Sequence, residues 1–506
     1  MENYGFLSIL PPTLSIALAV YTRNIVFSLA SGALSGALII ANFNPFMAFA
    51  EILEDHVFVQ LAIPSNNQVM IVMFTIGGFI HMLDKSGGSR AFAGVMVKFI
   101  GSPVKAQIAA WVTGLSVFFT DSGNALIVGP LFKPVFAELK ICREKLAYII
   151  DTTAAPLCIL IPFVGWGVYI MSLIENSYAA VGIDGDPIRV LLSVWPYQFY
   201  AFLALISIPM ILSTGRDFGP MANAQKDYNR AVDTGKLIDV PEKKQTENHK
   251  ISTVILPLSV MLATMVIYMG YFAYMEGIKS VHVRAGICLS YLFASIACGY
   301  LMKKHQNKPY DESLGLFFEG MQKLVFMCVI LVLAWTLSSL CGELQTGAYL
   351  ATLIGDKIEP SFFPLIVFLL GAIMSFATGS SYGTFAILMI IVVPIAHALN
   401  APMVLTIAAV LSGGLFGDHT SPISDTTVLA SMAAGCSHID HVSTQFWYAL
   451  LNGVMTVLAF IVVGFYQSPY IIFLIIIIQY LSIRLIMKFY GRNAFEGKKH
   501  SINLSS

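Results

Sequence analysis

Charged side chains are scarce in this chain of 506 residues. Asp, Glu, Lys and Arg make up 11% of it and hydrophobic residues make up 57%, whereas about 25% of an average soluble domain is charged. A soluble fold of this composition would expose large apolar patches and aggregate. The apolar stretches 251–274 and 470–486 are long enough to cross a bilayer, for which about 20 helical residues suffice. The composition therefore indicates an integral membrane protein.

Several other features are absent, and each absence argues against a class of protein. The formal net charge is zero, so charge gives no argument for a nucleic-acid partner. The seven cysteines form no close pairs, which argues against a disulfide framework and a zinc site. The sequence has no HExxH helix and no persuasive nucleophile arrangement, so we expect neither an enzyme nor a cofactor. Residues 1–20 lack a basic signal-peptide region and are interpreted as a retained first span.

Hydropathy predicts an all-α polytopic membrane protein with about 11 transmembrane helices. The predicted spans are 5–22, 25–49, 67–83, 146–171, 195–213, 251–274, 283–302, 324–341, 402–435, 445–466 and 470–488. Two further apolar regions, 106–137 and 361–398, are too long for one span, and small polar residues interrupt each of them. Broken backbone at membrane depth is tolerated only inside protein or along a cavity. Both regions are therefore predicted to be re-entrant hairpins.

The distribution of basic residues gives the orientation. With these spans and hairpins, all but four of the 29 Lys and Arg residues fall on one side, which the positive-inside rule assigns to the cytoplasm. The exceptions are Arg189, Lys279, Arg284 and Lys357. We expect a multi-pass protein of the cytoplasmic (inner) membrane, with its N-terminus outside and its C-terminus in the cytoplasm.

An internal repeat is visible in the sequence. Ser86-Gly87 and Thr346-Gly347, Gly123 and Gly383, and Pro134 and Pro394 are separated by one common interval. An odd number of predicted spans lies between the two copies, which makes them inverted in topology, as in many transporters. The predicted organisation is 1–66 N-terminal scaffold helices, 67–214 first repeat, 215–250 cytoplasmic linker, 251–323 connecting helices, 324–466 second repeat and 467–506 last helix and cytoplasmic tail.

The tip of the first predicted hairpin carries a carboxylate between two apolar arms. It contains Thr120, Asp121, Ser122 and Asn124. A charge at the bilayer centre costs about 2.5–3.5 kcal/mol on insertion scales, so its presence needs a functional reason. The alternative is a turn in which Asp121 caps the second arm, and capping is compatible with ion binding.

The second hairpin tip and the interrupted span 402–435 supply further polar groups. Ser380, Ser381 and Thr384 bring oxygens to the tip, and hard cations such as Na⁺ prefer oxygen ligands. A small-residue helix contact is the alternative there. In the interrupted span, Pro422 breaks the helix and leaves half-helix ends that can bind ions. The candidate residues of that span are Asp418, His419, Ser421 and Asp425.

Asp151, in Asp151-Thr-Thr-Ala-Ala-Pro156, is the first-half counterpart of that element. Two interpretations stay open, an ion or proton site and a simple interface pair with Lys145. A metal site at His438 and His441 is disfavoured.

The run from Gly417 to Ser431, followed by Gly435 to His441, closely resembles the signature of the NhaC-type sodium/proton antiporter family. Arg143 to Pro156 and Thr384 to Ile387 are also similar to segments of that family, and the resemblance extends over about 67–450. It implies membership of the ion transporter superfamily, with inverted repeats, paired hairpins and an elevator movement. Two positions depart from the family: Thr120 stands beside Asp121 where two acidic residues are typical, and Tyr382 replaces a tryptophan.

These observations predict a secondary active transporter that exchanges Na⁺ or another monovalent cation for H⁺ by alternating access. A buried carboxylate that binds either ion, but not both, couples the two gradients. Asp121, Asn124 and Asp418 are the candidate Na⁺ site, and the neutral oxygens above complete it. The alternative is an Na⁺- or H⁺-coupled transporter or exchanger of a small organic acid or amino acid; a channel is disfavoured. The expected partners are the lipid bilayer, monovalent cations and protons, and a homodimer is left open.

The topology can be tested by cysteine labelling. A Lys236→Cys variant should react with a membrane-impermeant maleimide in everted vesicles and not in intact cells, because the loop 215–250 is predicted to be cytoplasmic. Glu54→Cys, in a loop predicted to be external, is the matched control and should show the reverse. Labelling of Lys236→Cys in intact cells would contradict both the orientation and the re-entrant hairpins.

Overall fold

The computed structural model describes residues 4–88, 101–234, 250–275, 277, 279–354 and 358–493. Helices dominate these ranges, as the sequence predicts. In the first half they are α1 (Leu10–Thr22), α2 (Ile25–Ile40), α3 (Pro45–Glu51), α4 (Phe58–Ala62), α5 (Pro64–Lys85), α6 (Pro103–Ser116), α7 (Asp121–Glu138), α8 (Arg143–Thr153), α9 (Ala155–Cys158), α10 (Gly165–Ala180), α11 (Pro187–Val194), α12 (Phe199–Leu212) and α13 (Gly219–Asp233). In the second half they are α14 (Ser252–Met275), α15 (Ser280–Gln306), α16 (Tyr310–Lys323), α17 (Val325–Glu343), α18 (Thr346–Ile354), α19 (Phe363–Thr378), α20 (Ser381–Ala398), α21 (Met403–Thr420), α22 (Asp425–Ala434), α23 (His438–Tyr466) and α24 (Ile471–Phe489).

The count of membrane helices agrees with the sequence. In the described ranges, 10 helices are long and apolar enough to cross a membrane, or up to 12 if two bent pairs each form one span. The all-α polytopic fold class is confirmed. The predicted span 25–49 is wrong as a single helix, because α2 and the helical segment Pro45–Ala62 meet at 114°. Asn42 and Phe43 adopt positive φ there, and the Asn44 side chain caps the next helix at Phe46 and Met47.

The predicted continuous span 146–171 is also wrong. α8 ends at Thr153, the one-turn helix α9 follows, and α10 begins only at Gly165. Pro156 and Pro162 account for this break, because proline removes a backbone donor and clashes with the preceding turn. The interruption predicted in 402–435 is confirmed, since α21 ends at Thr420 and α22 begins at Asp425. Each half of the chain therefore contains one hairpin and one interrupted helix, in the same order.

Both hairpins fold back on themselves. In hairpin 1 (α6–α7), the Asn124 side chain donates to the Gly114 carbonyl oxygen at 2.9 Å, although ten residues separate them. In hairpin 2 (α19–α20), Gly371 of the first arm and Phe385 of the second arm both contact Gly414. The tips are capped alike: the Thr120 hydroxyl accepts from the Gly123 N–H, and the Ser380 hydroxyl accepts from the Gly383 N–H.

The two halves of the interrupted helix α21–α22 pack on different hairpins. Gly413, Gly414 and Gly417 of α21 lie against hairpin 2, where an added Cβ would come within 2.4 Å of neighbouring atoms at each position. On the other side of the break, Ala433 of α22 contacts Gly129 of hairpin 1. Small residues allow this close helix approach in membranes. The break at 421–424 therefore lies between the two hairpins.

The described part of the segment predicted as a linker contains a short strand and a helix. Arg216–Asp217 forms a two-residue antiparallel strand pair with Arg492–Asn493, and helix α13 follows. Gln225 of α13 bonds the Cys142 N–H and the Lys140 carbonyl oxygen, so it caps the start of α8. Residues 235–249, including Lys236, lie outside the described residues.

The contact between α21 and hairpin 2 can be tested at Gly417. A Cβ there would lie 2.3 Å from the Ala372 carbonyl oxygen and 2.6 Å from the Phe376 nitrogen. Both are backbone atoms, so the helices must separate. We expect Gly417→Ala to destabilise the protein in detergent by about 1–3 kcal/mol, the usual cost of overpacking, and to lower its Tm. Gly315→Ala, where an added Cβ would meet nothing within 4 Å, is the control. Equal Tm values for the two variants would refute this packing.

Candidate ion site at the helix interruptions

Asp121 lies at the tip of hairpin 1 with both carboxylate oxygens hydrogen-bonded. Its Oδ1 accepts from the backbone N–H and the hydroxyl of Ser122, at 2.6 and 3.0 Å. Its Oδ2 accepts from the Trp166 indole N–H at 3.2 Å. The Thr120 hydroxyl accepts from the Gly123 N–H in the helix cap described above, so Thr120 positions the tip. The predicted cap by Asp121 is therefore made by Thr120 instead, and the Asp121 carboxylate faces α10.

Asn124 ties hairpin 1 to the first helix interruption. Its amide nitrogen donates to the carbonyl oxygens of Gly114 and Thr153, each at 2.9 Å. Thr153 is the last residue of α8, where the break leaves carbonyls without helical partners. The Asn124 side chain is fully buried, and its Oδ1 has no hydrogen-bond partner among the described residues.

Asp418 lies against the tip of hairpin 2. Its Oδ2 accepts from the Ser381 hydroxyl at 2.8 Å, and that hydroxyl also lies 3.3 Å from the Gly414 carbonyl oxygen. The Asp418 residue is 4% exposed, and its Oδ1 makes no hydrogen bond of standard geometry in the described part of the chain. The Ser424 hydroxyl is close enough to interact with the same carboxylate. Thr384 is buried, and its hydroxyl donates to the Ser380 carbonyl oxygen of its own helix. Of these predicted oxygens, Ser381 is the one in contact with Asp418.

Ser421 and Asp425 flank the second interruption. The buried Ser421 hydroxyl donates to the Phe376 carbonyl oxygen of hairpin 2 at 2.7 Å. Asp425 begins α22, is exposed, and accepts from the Thr426 N–H through Oδ1. It lies within electrostatic range of both Asp121 and Asp418. The structure thus brings three predicted carboxylates to one region between the hairpins.

Trp166 joins the two hairpin tips, and the sequence did not reveal it. Its N–H bonds Asp121, and its ring lies 4.3 Å from the Tyr382 ring, measured between centroids. Tyr169 adds a hydroxyl that donates to the Tyr382 carbonyl oxygen at 2.8 Å. The sequence feature that could have identified Trp166 is the group of aromatic residues after the first helix interruption. Tyr382, noted above as a departure from the family, is a member of this contact.

Asp151 does not pair with Lys145, so the interface interpretation is wrong. Lys145 is buried and forms an ion pair with Asp217. Asp151 is 1% exposed and accepts from the Gln445 amide at 2.6 Å and the Thr427 hydroxyl at 3.0 Å. Nearby, the His419 ring bonds the hydroxyls of Tyr200 and Thr152, at 2.7 and 3.2 Å. His419 therefore faces away from hairpin 2, toward α8 and α12.

The polar groups at the two interruptions are mainly oxygens. In the described ranges, no group of three or more His, Cys, Asp or Glu side chains could hold a metal ion. Carboxylate, hydroxyl, amide and carbonyl oxygens are the donors that hard cations prefer. Such oxygens occur at both interruptions.

Comparison with known proteins identifies relatives of the whole chain. Residues 157–465 match the model of the Na+/H+ antiporter family. An uncharacterised Haemophilus influenzae protein is 32% identical over 91% of each chain. The malate-2H⁺/Na⁺-lactate antiporter of Bacillus subtilis is 33% identical over 34% of this chain and 37% of its own. The crystal structure of the Alcanivorax borkumensis YdaH transporter shares the fold, with a TM-score of 0.61 at 13% identity over 83% of this chain and 90% of that one.

The contact between Trp166 and Asp121 can be tested by removing one donor. Trp166→Phe keeps an aromatic ring against Tyr382 and loses the indole N–H. A hydrogen bond to a charged group contributes about 1.5–3 kcal/mol, so we expect apparent Na⁺ affinity in proteoliposomes to fall roughly tenfold or more. Trp447→Phe, at a residue that is 49% exposed, is the matched control. Wild-type affinity in Trp166→Phe would remove this bond from the site.

Proposed function

Because the chain belongs to the Na+/H+ antiporter family, we propose that it exchanges Na⁺, or another monovalent cation, for H⁺ by alternating access. The observation that carries this proposal is a pair of buried oxygens, Asn124 Oδ1 and Asp418 Oδ1, that accept no hydrogen bond of standard geometry from the described residues. One belongs to each half of the chain. A buried acceptor that lacks a donor costs about 1–3 kcal/mol. A bound cation, or a proton on Asp418, would satisfy such an oxygen.

Asp418 is proposed as the group for which Na⁺ and H⁺ compete. With Na⁺ bound, Oδ1 would be a ligand and Ser381 would hold Oδ2; with H⁺ bound, the carboxyl group would be neutral. The charge at this buried position would then be balanced in both occupied states, which favours carrying one ion in each direction. Asp121 and Asp425 lie within electrostatic range of each other, and we propose that they attract the cation to the region between the hairpins.

The membrane setting is proposed from the charge distribution and the family. The protein would lie in the cytoplasmic membrane with its N-terminus outside and its C-terminus in the cytoplasm, and it would act as a transporter without enzymatic activity or a cofactor. The two hairpins and interrupted helices would form the moving unit. Their mutual contacts through Trp166, Ser381 and Ser421 support movement as one body.

A second candidate is cation-coupled transport of a small organic acid or amino acid. Trp166 bonds Asp121, and the rings of Trp166 and Tyr169 pack on Tyr382. Aromatic faces bind organic solutes as well as organic cations. The partial match to the B. subtilis antiporter adds support. The two candidates separate in everted vesicles: Na⁺ alone would dissipate ΔpH in an Na⁺/H⁺ exchanger, whereas the alternative would require added malate, lactate or an amino acid.

The exchange mechanism predicts a specific loss in Asp418→Asn. The amide keeps an oxygen for Na⁺ and cannot carry the competing proton, so we expect Na⁺-driven proton movement to be abolished while the protein still inserts. Asp184→Asn, at an exposed position, is the control and should retain exchange. Full activity in a well-expressed Asp418→Asn protein would exclude Asp418 as the proton carrier.

A further inference from the structure

A second buried carboxylate lies outside the proposed cation site. Asp151 of α8 accepts from Gln445 and Thr427 as described above, and its Oδ2 lies 3.4 Å from His441 Nε2. Both residues of this pair are fully enclosed, with 1% exposure for Asp151 and 0% for His441. Neither His441 ring nitrogen has a hydrogen-bond partner in the described ranges. The imidazole faces the Asp151 carboxylate as its ion-pair partner.

Several charged and titratable groups around this pair have other hydrogen-bond or ion-pair partners. On α8, Lys145 pairs with Asp217, and the Tyr148 hydroxyl lies 3.0 Å from Ser207. On α12 and α21, Tyr200 and His419 bond each other.

The remaining charged neighbours are acidic. Asp418 and Asp425 lie within electrostatic range of Asp151. Among the described groups, His441 is consequently the one in ion-pair contact with Asp151 that can supply a positive charge.

A carboxylate and an imidazole in contact at this distance can share one proton. The proton can be on His441, giving an ion pair, or on Asp151, giving two neutral groups. Losing it leaves a buried carboxylate without a balancing charge, which is strongly unfavourable. A cation that arrives near Asp418 and Asp425 offsets that cost, because it adds positive charge to the same region.

We propose that Asp151 and His441 form a second proton-carrying site, which releases its proton when the cation binds at Asp418. This inference rests on the proposed Na⁺/H⁺ exchange and adds one proton to its stoichiometry. His441 lies in the first turn of α23, next to the exposed Asp440. The proton passes to water on the side to which the site is open, and the pair takes a proton back from the other side after the cation leaves.

The coupling ratio tests the proposal. Purified protein in proteoliposomes is given fixed Na⁺ and H⁺ gradients, and the membrane potential at which net flux is zero gives the number of protons per Na⁺. Asp151→Asn removes the carboxylate that balances a charged His441, and an imidazole buried without that balance stays neutral. We expect this variant to exchange one proton fewer per Na⁺ than the wild type, with exchange retained.

Three further variants complete the test. The double variant Asp151→Asn/His441→Gln should show the same reduced ratio as Asp151→Asn, because it removes the same proton. His441→Gln alone leaves Asp151 able to hold the proton and should keep the wild-type ratio. His305→Gln, on α15, should also keep the wild-type ratio. If Asp151→Asn does not fold, the ratio of the double variant decides.

The outcomes separate the two proposals. A wild-type ratio in Asp151→Asn and in the double variant would overturn the second proton site and leave the exchange function standing. An absence of Na⁺-driven proton flux in the wild type would overturn both. A merely structural role of the pair would lower the rate in the variants and leave the ratio unchanged.

Discussion

The structure depends on one constraint: every helix break inside an apolar protein must find hydrogen-bond partners for its free backbone groups. Both hairpin tips meet it in the same way, through the hydroxyls of Thr120 and Ser380, which accept from a glycine N–H three residues later. An N-cap of this kind contributes about 1 kcal/mol. The equivalent bonds in the two halves are the clearest structural trace of the internal repeat.

The same constraint leaves oxygens available for ions. Asn124 donates through its side-chain amide to two carbonyl oxygens at the breaks, and its own oxygen has no donor among the described residues. The Ser381 hydroxyl donates to one oxygen of Asp418, and the other oxygen accepts no hydrogen bond of standard geometry in the described ranges. Side-chain donors near a break bond to its free carbonyl oxygens. The oxygens of those same side chains then remain available as acceptors. A region rich in buried acceptors attracts cations and protons.

Local patterns predicted the hairpins, the interruption at 421–424 and the carboxylates, because small polar residues within long apolar stretches are visible in the sequence. The partners were not predictable in the same way. Trp166 contacts Tyr382, and Asp151 contacts His441, although more than 200 residues separate the members of each pair. Helical periodicity predicts which face of a helix a residue lies on, but it does not predict which residue of another helix packs against that face. The Asn-Phe-Asn-Pro turn at 42–45 was a readable signal that hydropathy alone missed, since averaging over a span hides a four-residue break.

Asp418 and His419 show how one break can serve both ions. Consecutive residues of an α-helix point about 100° apart, so Asp418 meets hairpin 2 while His419 meets α8 and α12. Two residues after His419, the Ser421 hydroxyl bonds hairpin 2 again, and Gln445 joins the His419 carbonyl oxygen to Asp151. A shift of the α21 terminus therefore changes the cation-side and the proton-side contacts together. Coupling of this kind needs no long pathway, because the same turn of helix forms part of both networks.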